Sequence, residues 1–302
     1  MKQVLPTNVR RLLYVWLAVV TMAASANAQT RRYVNANASA GGTGTSWATA
    51  YNNLQAALDA AVSGDEIWVA KGTYKPIKDE YGNTPGAAFA RTRVFLLKNG
   101  VKIYGGFSGV ESTLSARNPK LNPTILSGDQ DGNDGANFAN YGDNSYHVVA
   151  AKGLTAETVL DGFTISGGNA DYNSSFLGVP GASRGGAGIY ITDSQAHLKI
   201  NGCNIINNKA ELHGGGALFS SSGPSVTNCV FYNNQGYYGG ALYTNTNGST
   251  TLVTDVVNCV FVNNSSSFQG GAIYQYYKLN VTNSNFFGNH AASEGAIIKN
   301  SS

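Results

Sequence analysis

Residues 228–245 read NCVFYNNQGYYGGALYTN, and residues 258–276 read NCVFVNNSSSFQGGAIYQY. The two lines carry Cys, an aromatic, an Asn pair and a Gly pair in the same order. A catalytic loop has no use for a second copy of itself, whereas an architecture that stacks one coil on another does. Aligned on the cysteine, four lines emerge: CNIINN from Cys203, CVFYNN from Cys229, CVFVNN from Cys259 and SNFFGN from Ser284. The steps are 26, 30 and 25 residues (203 to 229, 229 to 259, 259 to 284). Each line is followed by a Gly-rich one: GGAL from Gly215, GGAL from Gly239, GGAI from Gly270 and EGAI from Glu294. A more diverged unit precedes them, LDGFTISGGN from Leu160 with GGAGIY from Gly185.

A period of about 25 residues fits one turn of a parallel β-helix, with three strands of four to six residues and corners between them. Equivalent residues on successive coils then stack about 4.8 Å apart. Cys203, Cys229 and Cys259, with Ile205, Phe231, Phe261 and Phe286, are expected to face inward and fill the core. Asn208, Asn234, Asn264 and Asn289 fall at a corner, where Asn tolerates unusual backbone angles and stacked amides can bond along the ladder. The Gly pairs mark a sharp corner where a side chain would collide. Three cysteines in an exported chain invite a disulfide reading. Their shared place in the repeat favours small buried hydrophobes, stacked and unpaired, because in-register parallel strands rarely offer disulfide geometry.

Only 12% of the 302 residues are charged, against about 25% in an ordinary globular protein. There are 37 glycines and 11% aromatics. Few charges with many Gly and aromatic residues suit an extracellular all-β chain and not a disordered one. The net charge is +3 and no Lys/Arg run follows residue 11, which argues against a nucleic-acid partner. Lys2, Arg10 and Arg11 precede an apolar run from Leu12 to Ala24, followed by Ala26-Asn27-Ala28. That is the pattern of a secretory signal peptide over residues 1–28, cut before Gln29. The run is too short to span a bilayer comfortably, which takes about 20 residues, and no membrane span is expected in the mature chain.

Leu54, Leu58 and Val62 recur at i, i+4 and i+8, so 50–62 is expected to form a short amphipathic helix. Laid across the end of the stack, it would cover the core and block edge-to-edge growth. The chain then divides into the signal peptide 1–28, a cap and first coil over 29–75, irregular coils with loop excursions over 76–158, and regular repeats over 159–302. RVFLLKNGVKIYGGF (93–107), NPTILSGD (122–129) and YHVVAA (146–151) read as strands, and 76–92 as an excursion.

The tetrads Phe231–Asn234, Phe261–Asn264 and Phe286–Asn289, with Gly239–Leu242 and Gly270–Ile273, resemble the FxxN and GGAI repeats of chlamydial polymorphic outer-membrane proteins. Ile205–Asn208 and Glu294–Ile297 depart slightly from them. WATAYNNLQAALDAAVSGDEIWVAKGTY, GVKIYGGFSGVE and LDGFTISGGN are similar to pectate-lyase-like right-handed β-helix surface proteins of Bacteroidetes-type bacteria. The resemblance implies an all-β, right-handed parallel β-helix at the cell surface or secreted. It leaves activity open, because the fold hosts lyases, hydrolases, esterases and adhesins. No C-terminal barrel or sorting domain is recognisable after Ile298–Ser302, so a partner or a missing segment is expected at the open end.

A β-helix lyase would need clustered carboxylates for Ca²⁺ and a basic residue; a hydrolase or esterase would need two or three carboxylates around one bond. From 159 onward the six acids are Asp161, Asp171, Asp193, Glu211, Asp255 and Glu294, and they do not align on successive coils. His197, His213 and His290 follow no metal spacing. The acidic run is GDQDGNDG at 128–135, where Asp129, Asp131 and Asp134 sit at i, i+2 and i+5, as in a calcium loop. An EF-hand would have Gly and Glu where this chain has Asp134 and Asn140, and a solvated turn is the competing reading. Tyr237, Tyr238, Tyr274 and Tyr276 lie beside the Gly corners of adjacent coils and are the candidate ligand-binding platform. The expectation is an adhesin-like, non-enzymatic module for a polysaccharide or a host or cell-surface protein, with no catalytic residue or cofactor assigned beyond the candidate Ca²⁺ loop. The alternatives are a pectate-lyase-like polysaccharide lyase or glycoside hydrolase, and a truncated structural stalk.

Overall fold

The computed structural model describes residues 29–194, 197–245, 249, 251–276 and 278–301. The signal peptide read from residues 1–28 lies outside them. From Arg31 on, the chain winds through four all-parallel sheets of eight, seven, five and seven strands. From Thr158 on it visits them in that order before starting the next coil, whereas the earlier coils pass from the second sheet directly to the fourth. One coil runs through Leu198–Asn201, Asn204–Ile206, Lys209–Ala210 and Ala217–Ser220, and the next begins at Ser225–Thr227. Each regular coil thus has four short strands where the period suggested three longer ones. The segment after the Asn pair breaks at a left-handed glycine into two strands, which are counted below as the third and fourth sheets.

The corners explain the repeat letter by letter. Between the first and second sheets the turn residue is Gly202, Asn228, Asn258 or Asn283, all with φ between 47° and 58°. Between the second and third it is Asn207, Asn233, Asn263 or Gly288. Asn is the residue besides Gly that tolerates this region, because its short polar side chain bonds locally. The first Asn of each pair therefore turns the chain, and the second points inward. Between the third and fourth sheets the turn falls on Gly214, Gly239, Gly270 or Gly295. A Cβ on Gly239 would stand 2.3 Å from the carbonyl oxygen of Leu242, so no side chain fits.

Inside, Leu126, Ile165, Ile205, Phe231, Phe261 and Phe286 are register partners along the second sheet. The rings of Phe231, Phe261 and Phe286 stack at 4.8 Å per step, nearly parallel. Cys203, Cys229 and Cys259 are buried and free. The backbone amide of Cys203 lies 3.4 Å from Sγ of Cys229, and the Cys229 thiol donates to the Thr227 carbonyl at 3.2 Å. Burial pushes the Cys229 thiol well above its ordinary pKa. Buried Asn208, Asn234, Asn264 and half-buried Asn289 form an amide ladder, each Nδ2 donating to the next Oδ1 at 3.1, 3.0 and 2.9 Å.

The front helix covers Leu54–Ala60, shorter than the spacing suggested. Asn53 caps it by accepting the Ala56 amide, and the chain leaves at Ala61 in extended backbone. The Val62 amide is then held by Asp65, and Val62 itself is exposed instead of packing inward. Leu54, Ala57, Leu58 and Ala61 join the core. The outer edge of the first strand, Arg31–Val34, is bonded too: Tyr33 donates to Gly44, and Asn35 and Tyr33 exchange bonds with Tyr51. At the other side all four sheets end in one coil, at Leu279–Thr282, Asn285–Phe287, His290–Ala291 and Ile298–Asn300. Phe287, Ile297 and Ile298 are exposed there.

Candidate functional site

Strand alternation decides which residues of the fourth sheet face outward. Ile189, Ala217, Leu242 and Ile273 form one inward column. One residue on, Ala150, Tyr190, Leu218, Tyr243, Tyr274 and Lys299 are register partners on the outside. This outer column is apolar and largely covered: Ala150, Tyr190, Leu218 and Tyr274 are buried, and Tyr243 is half-buried. The excursion through Phe176 and Ala182 packs on its Ala150–Tyr190 end. Beyond that excursion lies a groove of about 270 Å³, lined by Arg184, Tyr190, His213, Leu218, Tyr243 and Asn245.

The corner beside this column adds more rings. His213 lies 4.3 Å from Tyr243 and stacks on Tyr238 at 5.7 Å. Tyr243 and Tyr274 stack at 5.4 Å with an interplanar angle of 3°. Tyr238 meets Tyr274 edge-on at 4.8 Å, and Tyr237 stacks on Phe268 at 5.1 Å. Tyr237, Tyr238 and Tyr274 thus belong to one continuous aromatic patch. Tyr276 lies two residues further along the strand, in register with Asn245. Tyr274 is only 8% exposed, so it supports the patch from beneath more than it presents a face. Half-buried Tyr243, which the sequence pattern did not single out, and His213, which it named only as lacking a metal spacing, line the groove instead.

The groove is electrically quiet. Burial, with the neighbouring charge of Arg184 second, lowers the His213 pKa to about 4, so the ring is neutral near pH 7. Burial first, then the neighbouring tyrosines, raises Tyr243 to about 12. Arg184 is held by both oxygens of Glu211, at 3.0 and 3.1 Å. Such a surface offers ring faces and neutral donors and acceptors, the chemistry that recognises an uncharged sugar ring.

The acidic loop is organised differently. Asp129 Oδ1 accepts the amides of Gly132 and Asn133, and its Oδ2 accepts the Asp134 amide. Asp131 is exposed, and its amide is bonded by Asp143. Asp129, Asp131 and Asp134 therefore do not converge on one point: the loop's own amides take up the Asp129 carboxylate. Among the described residues no group of three His, Cys, Asp or Glu side chains is placed to hold a metal ion. Asp134 Oδ2 accepts from Asn144 at 3.0 Å, and its buried Oδ1 has no protein partner. Burial chiefly, with Asp129 and Asp143 nearby, raises Asp134 to about 6 despite the Asn144 bond. It faces a groove of about 490 Å³ with Asp129, Phe138, Tyr141 and Tyr232 on its walls. Asp161, a buried acid in the regular coils, is bonded to Arg117 at 2.6 Å and Asn201 at 2.8 Å.

A comparison with curated proteins found no match. Among solved structures, the chain is similar to the pectin methylesterase PemA from Erwinia chrysanthemi, at 10% identity and a TM-score of 0.36, covering 88% of this chain and 81% of that one. It is also similar to a rhamnogalacturonan lyase (14% identity, TM-score 0.31, covering 82% and 72%) and to the pectate lyase Pel9A (14%, 0.21, covering 88% and 79%). The family model described as "right handed beta helix region" matches residues 133–302. With four parallel sheets wound as described and that match over more than half of its length, the chain belongs to the right-handed β-helix family.

Proposed function

We propose that the protein is an exported, adhesin-like module that binds an uncharged polysaccharide along the outer face of the fourth sheet. One observation carries the reading: Tyr190, Leu218, Tyr243 and His213 line a groove beside the rings of Tyr238 and Tyr274, and the Arg184 guanidinium on its wall is paired with Glu211. Export rests on the residue pattern at 1–28, and a cell-surface setting on the FxxN and GGAI repeats. Stacked rings repeating at the coil spacing suit a ligand that itself repeats. The test is retention on neutral and acidic polysaccharides by affinity electrophoresis, with Tyr243→Ala and His213→Ala beside the parent chain. The expected outcome is retardation by a neutral polymer, weakened at least fivefold in both variants with melting temperatures intact. Equal retardation of variant and parent would overturn the assignment to this groove.

A second reading, cleavage of a polysaccharide, is favoured by one feature: Asp134, with its raised pKa and a buried oxygen lacking a protein partner, beside Asp129 in the other groove. A general acid needs such a carboxyl. The release of new reducing ends or unsaturated sugars, abolished by Asp134→Asn, would establish this reading over the first.

A further inference from the structure

Two excursions leave the solenoid, 76–92 and 171–184, and a pocket of about 360 Å³ lies between them. Glu80, Phe89, Arg91, Tyr146, His147 and Phe176 are among its walls. His147 is 1% exposed, with its ring 4.2 Å from Phe176 and 5.1 Å from Tyr190. Its Nδ1 lies 3.1 Å from the Gly186 carbonyl oxygen. A carbonyl only accepts, so Nδ1 carries the hydrogen and Nε2 presents a bare lone pair. Nε2 is buried and has no protein partner. Leaving such an acceptor unsatisfied is unfavourable, and a ligand hydroxyl would relieve it.

The other strong groups of the pocket are already engaged. Arg91 donates to the carbonyls of Asn144 and Asn169 at 2.8 and 3.0 Å and pairs with Asp171 at 2.5 Å. Its guanidinium also lies over Tyr146, which stacks on Tyr172. Asp79 accepts the amides of Tyr81 and Asn83, and Glu80 accepts the amide of Leu177. Ser174 and Ser183 bond one another at 3.0 Å. What remains is the unmet acceptor of His147 among the lining residues, with aromatic rings and hydroxyls beside it. The two carboxylates, Asp79 and Glu80, are held by backbone amides and would repel an anionic ligand. The volume lies at the low end for small-ligand sites, about 300–1,000 Å³, and admits one or two sugar rings.

We propose that this pocket receives a single neutral pyranose, one of whose hydroxyls donates to Nε2 of His147 while a ring face rests on the aromatic wall. It is a site apart from the groove of the fourth sheet and does not depend on it: the segment 176–184 stands between, with Phe176 and Ser183 toward the pocket and Val179 and Arg184 toward the groove. Bonding by one residue suits the end of a glycan, where a chain lying along a groove would not fit.

The full mature chain, labelled with ¹⁵N at histidine, tests this directly. Neutral methyl pyranosides, the matching methyl uronates and an acyclic polyol are titrated in turn, and the Nε2 resonance of His147 is followed at pH 7. The expected result is a saturable upfield movement of Nε2 with at least one neutral pyranoside and not with its uronate or the polyol. Phe89→Ala removes an exposed wall without touching the core and should weaken that response at least threefold. His147→Leu should abolish binding by calorimetry, and Tyr243→Ala should leave the His147 response unchanged. An Nε2 resonance that no pyranoside moves, or that the uronate or polyol moves equally, overturns the proposal, as does a response unaltered by Phe89→Ala.

Discussion

Asn234 and Asn264 lie one coil apart, and a single oxygen, Oδ1 of Asn264, receives both the side-chain amide and the backbone amide of Asn234 at 3.0 Å. The same Nδ2 of Asn234 also donates to the Ile205 carbonyl at 2.8 Å, and its Oδ1 serves Asn208 in the same two ways. Asn234→Ala therefore strands several buried groups on two coils. It should destabilise the protein by about 3 kcal/mol, read as a lowered denaturant midpoint. The residue before it provides the contrast. Asn233 holds φ at 52°, so Asn233→Gly should stay within about 1 kcal/mol of the parent, while Asn233→Val should lose about 1–2 kcal/mol.

The phenylalanine column predicts a cavity effect. Phe261 is fully buried between Phe231 and Phe286, 4.8 Å from each. Phe261→Ala should cost about 3–5 kcal/mol, and Phe286→Ala less, since Phe286 is only half-buried at the last coil. Thermal melts of the two variants check the order. Equal losses would mean that the final coil is as tightly packed as the interior.

Acid should act on the histidines with a definite sign. Burial lowers His147 from 6.5 to about 4, as it does His213. The unfolded chain then takes up these protons first, so stability is full above about pH 6.5 and falls as pH drops toward 4. For fully buried His147 the loss is about 3 kcal/mol across that window. His147→Gln should flatten this part of the stability–pH profile, and unfolding at pH 4.5 and 7.5 measures it.

Asp134 runs the other way. Its carboxyl is raised from 3.8 to about 6, so the folded state holds the proton more tightly and the contribution is lost as pH rises between those values. Asp134→Asn should gain stability relative to the parent above pH 6 and gain nothing at pH 3.5. Because the histidine and Asp134 windows overlap with opposite signs, Asp134→Asn should steepen the acid side of the profile that His147→Gln flattens.

The repeat was legible because each of its letters has one structural task. Asn in the left-handed corner, inward Asn, stacked Phe and left-handed Gly recur at fixed offsets, and together they specify a coil. The count of strands was not legible, since a single left-handed glycine separates the third sheet from the fourth and leaves only two to five residues on its near side. The aromatic patch was half legible. Its tyrosines stand out in the sequence, but the burial of Tyr274 under Tyr238 and Tyr243 depends on neighbours one coil away. His147 gave no signal at all. Its surroundings come from residues near 80, 90, 146 and 176, brought together only by the two excursions.

The coil at 279–300 gives the solenoid a direction of wear. Peeling that coil away would bare Thr254–Val257, Val260–Val262, Ser265–Gln269 and Ile273–Tyr276, four strand edges of the same kind one layer in. Loss from this side can therefore proceed one layer at a time, each step leaving a shorter version of the same object. On the opposite side residues 44–51 bond to the first strand and the helix packs into the core. Amide exchange should accordingly be graded along the stack, fastest at Phe286 and slowest around Ile67 and Ile103, so that the order of the coils is also the order of their lifetimes.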